Sequence, residues 1–196
     1  MDFSIEQVIT TSWKTLKKNP KNIIGFFLLI GVISILNLAI SSQLGSIISN
    51  IESWIFGALV QVAIVTFTVS AFNKRKTTIS SRLKDYKSVL KLIIGNFLSG
   101  VVIFLGFLAL IIPGIVFAVR LQFVGFLIVE KQLGPIEAIK GSWKLTKNNF
   151  FTLLGFGIVS MLLNIFGFFL LIVGLLVTVP LTSLAQANVY LKLSEK

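Results

Sequence analysis

The sequence predicts an all-α polytopic membrane protein with six transmembrane helices, arranged as three hairpins with parallel internal repeats and cytoplasmic amphipathic helices. Composition, the length of the apolar runs and the placement of the basic residues support this fold class. Of the 196 residues, 55% are hydrophobic and 13% are charged, and the mean hydropathy is +0.95. A soluble domain of this length needs more polar surface around its core. We therefore expect a lipid bilayer to solvate much of the chain.

Six apolar runs are long enough to cross a bilayer. A hydrocarbon layer about 30 Å thick takes roughly 20 helical residues per crossing. A helix satisfies its own backbone in lipid, and continuous apolar runs lack the alternation of a barrel strand. The predicted spans are residues 23–40, 54–71, 92–112, 115–129, 150–171 and 175–191.

The basic residues indicate the orientation of these spans. All 18 Lys and Arg residues except Arg120 fall in four patches that alternate with pairs of spans, at residues 14–21, 74–91, 131–147 and 192–196. The positive-inside rule places these patches, and hence both termini, in the cytoplasm. The opposite connections are then residues 41–53, whose only charge is Glu52, and two tight turns around Pro113-Gly114 and Val173-Gly174.

Charge and residue usage narrow the location and the partners. Asp2 and Glu6 precede the first lysines, and the first apolar run has the length of a true span, which favours a retained signal-anchor in a cytoplasmic membrane. The net charge of +11 is expected to attract anionic lipid headgroups rather than nucleic acid. The chain has no cysteine and no histidine, so we expect no disulfide, metal or cofactor.

An internal repeat organises the chain as a single domain. A shift of 130 residues aligns Ser12-Trp13-Lys14 with Ser142-Trp143-Lys144, and it also aligns the pairs Ile9 and Ile139, Lys17 and Lys147, Asn19 and Asn149, and Gly25-Phe26 and Gly155-Phe156. A fainter, degenerate middle copy is predicted through Leu83, Tyr86-Lys87 and Leu90. The predicted units are residues 1–73, 80–131 and 134–196. Each would be an amphipathic helix followed by a hairpin, so the repeats would be parallel about the membrane normal.

Two amphipathic helices are predicted along the cytoplasmic surface. In the first, apolar residues recur at helical spacing from Ile5 to Leu16, with lysines on the other side. The second begins after Gly134-Pro135, where proline suits a first helical turn. They are interfacial anchors or, alternatively, a surface that docks a membrane-protein partner. The interfacial residues are Trp13, Lys14, Trp143, Lys144 and Lys147.

One stretch of the chain resembles a known family. It comprises Ile112-Pro113-Gly114-Ile115, Arg120, Glu130, the run from Gly134 to Ile139 and the run from Ser142 to Lys147. These motifs resemble those of bacterial integral-membrane proteins that include the membrane domain of some glycerophosphodiester phosphodiesterases. The resemblance is clearest over residues 107–156 and implies a six-span helical domain. It does not imply phosphodiester hydrolysis, because the soluble catalytic barrel is absent and the chain has no histidine.

Arg120 is the one charge inside a predicted span. A central arginine costs about 2.5 to 3.5 kcal/mol even on the lenient insertion scale, so it is expected to face protein, water or a lipid phosphate. One interpretation is an anion site, because the guanidinium fork fits phosphate or carboxylate. The other is an arginine bonded to backbone carbonyls freed at Pro113-Gly114 or at Pro180, a proline that is also expected to kink its helix.

Other polar residues recur at helical spacing inside the spans. Such rows either hydrogen-bond neighbouring helices or line a hydrated cavity. They comprise Ser34, Asn37 and Ser41, Ser160 and Asn164, and Thr178, Thr182 and Gln186, with Gln122 close to Arg120. The candidate ligand-binding residues are Arg120, Gln122, Gln186, Thr182, Asn37 and Asn164.

The absent motifs favour a function without catalysis. No Asp or Glu lies deep in a predicted span, which argues against proton-coupled transport, and no phosphate-binding Gly-rich loop or paired catalytic carboxylates occur. We therefore expect a non-enzymatic bacterial membrane protein that binds or translocates an anionic amphiphile, such as a lipid headgroup or a membrane-active peptide. The alternative is a structural, accessory or immunity-type subunit that docks a partner through its amphipathic helices.

Overall fold

The computed structural model describes residues 3–42, 46–72 and 85–195. These residues form nine α-helices and one short 3-10 helix, Lys147–Asn149, and they contain no strand. The helices are α1 Ile5–Lys18, α2 Pro20–Ser41, α3 Ser46–Ser70, α4 Tyr86–Ala109, α5 Ile111–Leu121, α6 Val124–Lys131, α7 Pro135–Thr146, α8 Phe150–Phe169 and α9 Leu171–Ser194.

Six stretches of helix among the described residues are long and apolar enough to cross a membrane. This confirms the all-helical class and the predicted number of spans. The stretches are Pro20–Ser41, Ile48–Ser70, Tyr86–Ala109, Ile111–Lys131, Pro135–Phe169 and Val173–Ser194.

The two predicted tight turns were misplaced. α4 and α5 are joined by the single extended residue Leu110 (φ −168°, ψ 157°), and α8 and α9 by Leu170. Pro113-Gly114 therefore lies in the first turn of α5, where the proline needs no backbone N–H. Val173-Gly174 lies likewise in the first turn of α9.

Glycines at these two places serve close helix packing rather than a turn. A Cβ added to Gly106 of α4 would lie 3.0 Å from the Cα of Gly114 in α5. One added to Gly174 would lie 2.2 Å from the carbonyl oxygen of Gly167 in α8. The helices can approach within such distances only where no side chain intervenes.

The predicted outer connection, residues 41–53, is shorter in the structure. α2 ends at Ser41 and α3 already begins at Ser46, so Glu52 belongs to a helix rather than to a loop. Its carboxylate accepts a short hydrogen bond from the side-chain amide of Asn37 in α2. Glu52 therefore connects α2 and α3, and the prediction that it lies in a loop was wrong.

The start of α4 is capped by Asp85. Its carboxylate accepts hydrogen bonds from the Ser88 hydroxyl (2.6 Å) and from the Ser88 backbone N–H (3.4 Å). The Ser88 hydroxyl is the main reason that the pKa of Asp85 lies below its usual value of 3.8. In the predicted middle repeat, Tyr86, Lys87 and Leu90 thus lie in α4 itself, and Leu83 lies outside the described residues.

The core of the described bundle surrounds α6. All six residues from Val124 to Val129 are buried, and α6 packs against α3, α4 and α7. The rings of Phe123 and Phe126 lie 6.0 and 5.0 Å from the ring of Tyr190 in α9. By contrast, α2 buries only Ile23 and Phe27 and exposes an otherwise apolar surface, as is typical of a helix in lipid.

α1 and α7 each bury one face and expose their lysines. α1 packs mainly against α9, and α7 packs against α6, α4 and α5. The buried residues are four apart in each helix: Val8, Ser12 and Leu16 in α1, and Ala138, Ser142 and Thr146 in α7.

Candidate functional site

The fourth span is interrupted next to Arg120. The sequence predicted a span over residues 115–129, and the candidate span Ile111–Lys131 covers it, but the interruption of its helix was not predicted. α5 ends at Leu121 and α6 begins at Val124, with Gln122 and Phe123 between them. A break in a helix leaves backbone groups without their helical partners, and other groups must satisfy them wherever water is excluded.

Ser142 of α7 bridges this break. The backbone N–H of Phe123 donates to the Ser142 hydroxyl oxygen at 3.2 Å, and the hydroxyl donates to the backbone carbonyl of Arg120 at 2.7 Å. The Thr146 hydroxyl reaches the same carbonyl at 3.4 Å but makes a shorter bond to the Ser142 carbonyl, at 2.9 Å. A single buried serine therefore fixes the backbone at Arg120 from a neighbouring helix.

The side chain of Gln122 satisfies a further backbone group at the break. Its amide nitrogen donates to the backbone carbonyl of Val119 at 2.9 Å. In an unbroken helix that carbonyl would accept from the backbone N–H of Phe123. The amide nitrogen of this predicted ligand-binding residue is thus used by its own helix.

The guanidinium of Arg120 lies over two aromatic rings. Its central carbon is 5.3 Å from the ring centroid of Trp143 in α7 and 5.3 Å from that of Phe150, the first residue of α8. Trp143 is itself held against Phe117 of α5, with ring centroids 5.9 Å apart. Cation–π contacts of this kind stabilise a desolvated arginine by about 2 kcal/mol.

Two nitrogen atoms of Arg120 are left without a partner. Nε and Nη1 are buried, and neither forms a hydrogen bond with any described residue. The interpretation of Arg120 as an arginine bonded to carbonyls freed near Pro113 or Pro180 therefore finds no support at these two atoms. A buried donor without an acceptor costs about 1 to 3 kcal/mol, so an acceptor bound beside Arg120 would be favourable.

Other predicted ligand residues meet between α8 and α9. The Asn164 amide donates to the Thr182 hydroxyl at 3.3 Å, and the Thr182 hydroxyl donates to the Thr178 carbonyl at 3.0 Å. One turn further in each helix, the antiparallel register places Gln186 opposite Ser160. Three buried oxygen atoms here have no hydrogen-bond partner among the described residues: Ser160 Oγ, Asn164 Oδ1 and Thr178 Oγ1.

The predicted polar residues therefore lie in three places rather than one. Arg120 lies among α5, α7 and α8, Asn164 and Thr182 join α8 to α9, and Asn37 joins α2 to Glu52 of α3. Of the three groups, Arg120 alone carries a formal positive charge.

The sequence did not predict a pair of side-chain amides that joins α3 to α4. Asn96 of α4 donates to the side-chain oxygen of Gln61 in α3 at 2.6 Å. Gly125 of α6 makes room for this pair, since a Cβ there would lie 2.2 Å from the amide nitrogen of Gln61. The signal in the sequence was an amide inside each of two apolar runs.

The predicted interfacial residues are largely exposed. Trp13 and Trp143 expose 38% and 40% of their surface, and Lys14, Lys144 and Lys147 are exposed as well. The two tryptophans differ in their cations: the ammonium of Lys17 in the same helix lies 5.1 Å from the Trp13 ring, whereas Trp143 faces Arg120 of another helix.

The chain belongs to a family described as "Domain of unknown function (DUF7847)", whose model matches residues 55–194, well over half of the sequence. The match includes Arg120, Ser142, Trp143 and Phe150. No curated protein and no solved structure matches the chain. The family carries no described activity, so the resemblance to the membrane domain of glycerophosphodiester phosphodiesterases stays a prediction.

Proposed function

We propose that this member of the DUF7847 family is a non-enzymatic bacterial membrane protein that binds or translocates an anionic amphiphile, either a lipid headgroup or a membrane-active peptide. The observation that supports the proposal is the state of Arg120. Its guanidinium lies on a candidate span, over the rings of Trp143 and Phe150, with Nε and Nη1 buried and without a partner among the described residues.

The chemistry of this arrangement favours an anion. Aromatic rings stabilise the cation but accept no conventional hydrogen bond from its N–H groups. A phosphate or carboxylate oxygen would supply the missing acceptors and also neutralise a charge that is costly in hydrocarbon. The apolar residues of the spans would contact the chain of an amphiphile, which small hydrophilic anions lack.

The architecture proposed for this function is a set of parallel repeats. The shift of 130 residues carries each buried residue of α1 onto a buried residue of α7: Val8 onto Ala138, Ser12 onto Ser142 and Leu16 onto Thr146. Similar burial at equivalent positions supports two like-oriented units, each an amphipathic helix followed by a hairpin. With the basic patches inside, α1 and α7 would lie along the cytoplasmic surface.

The seam between α8 and α9 supports translocation over binding alone. Its partnerless oxygens at Ser160, Asn164 and Thr178 can accept hydrogen bonds from water or from a passing ligand. The seam adjoins the Arg120 site through α8, whose first residue, Phe150, contacts the guanidinium. A headgroup could thus exchange its contact with Arg120 for neutral polar contacts along the same helix.

Fluorescence quenching tests the proposal at Arg120 itself. In a Trp13→Phe/Trp54→Phe chain, Trp143 is the one tryptophan left, because the sequence has three. The chain is placed in nanodiscs that contain brominated phosphatidylglycerol or brominated phosphatidylcholine. We expect the anionic lipid to quench Trp143 more strongly, and Arg120→Leu to remove that preference.

Arg120→Lys is the matched variant, since it keeps the charge but loses the planar fork. We expect it to retain a weaker preference for the anionic lipid. Equal quenching by the two lipids in the parent chain, or a preference unchanged by Arg120→Leu, would discard the proposal for lipids. The same variants, tested with an anionic amphipathic peptide that bears a quencher, decide between headgroup and peptide.

A second candidate function is a structural, accessory or immunity-type subunit. The observation that favours it is the exposure of Trp13 and Trp143 beside exposed lysines on α1 and α7. For this function, a partner recovered by pull-down should be lost on Trp13→Ala/Trp143→Ala substitution and kept on Arg120→Leu substitution. The opposite pattern favours the anion site.

A further inference from the structure

A separate cleft opens on another face of α7, away from Arg120. It has a volume of about 410 Å³ and is bounded by α6, α7 and the end of α9. Gly141 and Leu145 of α7, and Asn148 of the 3-10 helix that follows it, line this cleft, whereas the hydroxyls of Ser142 and Thr146 reach the broken span. At 100° per residue Gly141 and Leu145 lie a little more than a quarter of a turn from Ser142 and Thr146, and the cleft shares no lining residue with the Arg120 contacts, so we treat the two as separate sites.

The cleft combines positive charge with an apolar wall. Lys131 at the end of α6 and Lys144 in α7 supply two ammonium groups, and Asn148 supplies an amide. Leucines supply most of its apolar lining, among them Leu133, Leu145 and Leu193.

No carboxylate is among the described residues that line the cleft. The acid of α7, Glu137, is turned to its own helix start, where it accepts a hydrogen bond from the Gly134 backbone N–H at 3.0 Å. Lys91, the basic residue that approaches from α4, donates to the Gln132 carbonyl at 3.0 Å. The positive charges of Lys131 and Lys144 therefore face the cleft without a carboxylate in its lining.

We infer that this cleft is a second binding site, specific for a phosphate group carried by an anionic lipid or present as free phosphate. Basic pockets between membrane helices bind phosphorylated headgroups in this way. The two ammonium groups take the phosphate oxygens, Asn148 adds a hydrogen bond, and the leucines contact the glycerol and the first methylene groups of a lipid. The inference is independent of the function proposed for Arg120, because the two sites share no residue.

A fluorophore at the rim of the cleft reports its occupancy. The sequence has no cysteine, so Ser194→Cys, at a position that lines the cleft, gives a unique labelling site in the full chain. The labelled protein in detergent is titrated with dioctanoyl phosphatidylglycerol, with dioctanoyl phosphatidylcholine and with inorganic phosphate. We expect saturable binding of phosphatidylglycerol, weakened about tenfold or more by Lys131→Gln/Lys144→Gln, because each basic residue contributes about a factor of five.

Lys140→Gln/Lys147→Gln is the matched control. It removes the same charge from the same part of the chain, at exposed lysines that do not line the cleft. We expect it to keep the wild-type affinity. Unaltered melting temperatures of the unliganded variants show that the exposed substitutions leave the fold intact.

The three probes and the two pairs of lysine substitutions distinguish the possible ligands of the cleft. Loss of phosphatidylglycerol binding in the Lys131/Lys144 variant alone supports the site and identifies a lipid headgroup, and an equal response to inorganic phosphate identifies a free phosphate. Equal weakening by both lysine pairs, equal binding of phosphatidylcholine, or no response to any probe overturns the inference. Arg120→Leu should leave this titration unchanged, so failure at one site is distinguishable from failure at the other.

Discussion

Helices α1 and α7 bury the same three positions, but only in α7 does the buried serine form hydrogen bonds with a neighbouring helix. Ser142 accepts from Phe123 and donates to Arg120, whereas the hydroxyl oxygen of Ser12 is buried without a partner among the described residues. The difference arises from what each helix covers. α7 packs over a broken span, and α1 packs against α9, which continues past Pro180.

The tryptophans that follow these serines differ in the same way. Trp13 faces Lys17 from its own helix, and Trp143 faces Arg120 from α5. The two helices therefore share their buried positions, and α7 alone also contacts a half-buried cation from another helix. The shared motif Ser-Trp-Lys thus occurs in two helices with the same buried positions, and the neighbouring span decides which partners its serine and tryptophan find.

The largest difference in stability is expected between substitutions of the two serines. Ser142→Ala leaves the Phe123 N–H and the Arg120 carbonyl without their partner, and should lower the free energy of unfolding by about 2 kcal/mol. Ser12→Ala removes a hydroxyl that has no partner among the described residues, and should change the stability by less than about 0.5 kcal/mol. Denaturant unfolding in detergent micelles, followed by tryptophan fluorescence, measures both. Equal destabilisation by the two substitutions would remove the distinction between the helices.

A smaller difference in stability is expected between substitutions of the two tryptophans. Trp143→Leu removes a ring over which the half-buried Arg120 lies, and Trp13→Leu removes a partner of the exposed Lys17. Because cation–π contacts are stronger when desolvated, the first substitution should cost about 1 kcal/mol more than the second. Thermal melting of the purified variants at matched detergent concentration gives the difference. A larger loss of stability in Trp13→Leu would contradict the stronger contribution expected of Trp143.

In the predicted middle unit, Asp85 caps the N-terminus of α4. Asp85→Ala should cost about 0.7 kcal/mol, in the lower part of the range for helix N-caps. Since the pKa of Asp85 is lowered in the folded state, its stabilisation is complete above the unfolded pKa and is lost as the pH falls through the folded pKa.

Asp85→Asn is the control for the pH effect, because asparagine caps a helix but carries no charge. The difference in melting temperature between wild type and this variant should therefore shrink below about pH 4. A difference that stays constant down to pH 2 would mean that the carboxylate makes no special contact in the folded state.

The smallest effect is expected at Thr146, the position equivalent to Leu16. Its hydroxyl reaches the Arg120 carbonyl only at 3.4 Å and already bonds within α7. Thr146→Val keeps the volume and should change the stability by less than about 0.5 kcal/mol, because Ser142 still serves that carbonyl. Destabilisation comparable to that of Ser142→Ala, in the same unfolding assay, would show that the two hydroxyls act as one unit.

The all-helical class and the six candidate spans followed from the sequence because they depend on local properties. Apolar length set the six spans, and the Ser-Trp-Lys motif located two helices with the same buried positions. Arg120 was recognisable as a lone charge, but its aromatic neighbours Trp143 and Phe150 were not assigned to it, because they come from other helices.

The breaks in the helices could not be predicted, because tertiary contacts decide them. Leu110 and Leu170 connect helices where glycine pairs allow close approach, so the expected glycine turns were displaced by a few residues. The interruption at Gln122 depends on a hydroxyl 20 residues away in sequence. Periodicity within one span carries no information about such a partner.

The central claim is that α1 and α7 belong to like-oriented units on the cytoplasmic side of a membrane. Single cysteines introduced by Lys14→Cys, Lys144→Cys and Ser42→Cys, all exposed in the structure, test it with a membrane-impermeant maleimide. We predict that the first two are labelled only after the cells are permeabilised, and that Ser42→Cys is labelled in intact cells. Labelling of Lys14→Cys and Lys144→Cys from opposite sides of the membrane would contradict the account.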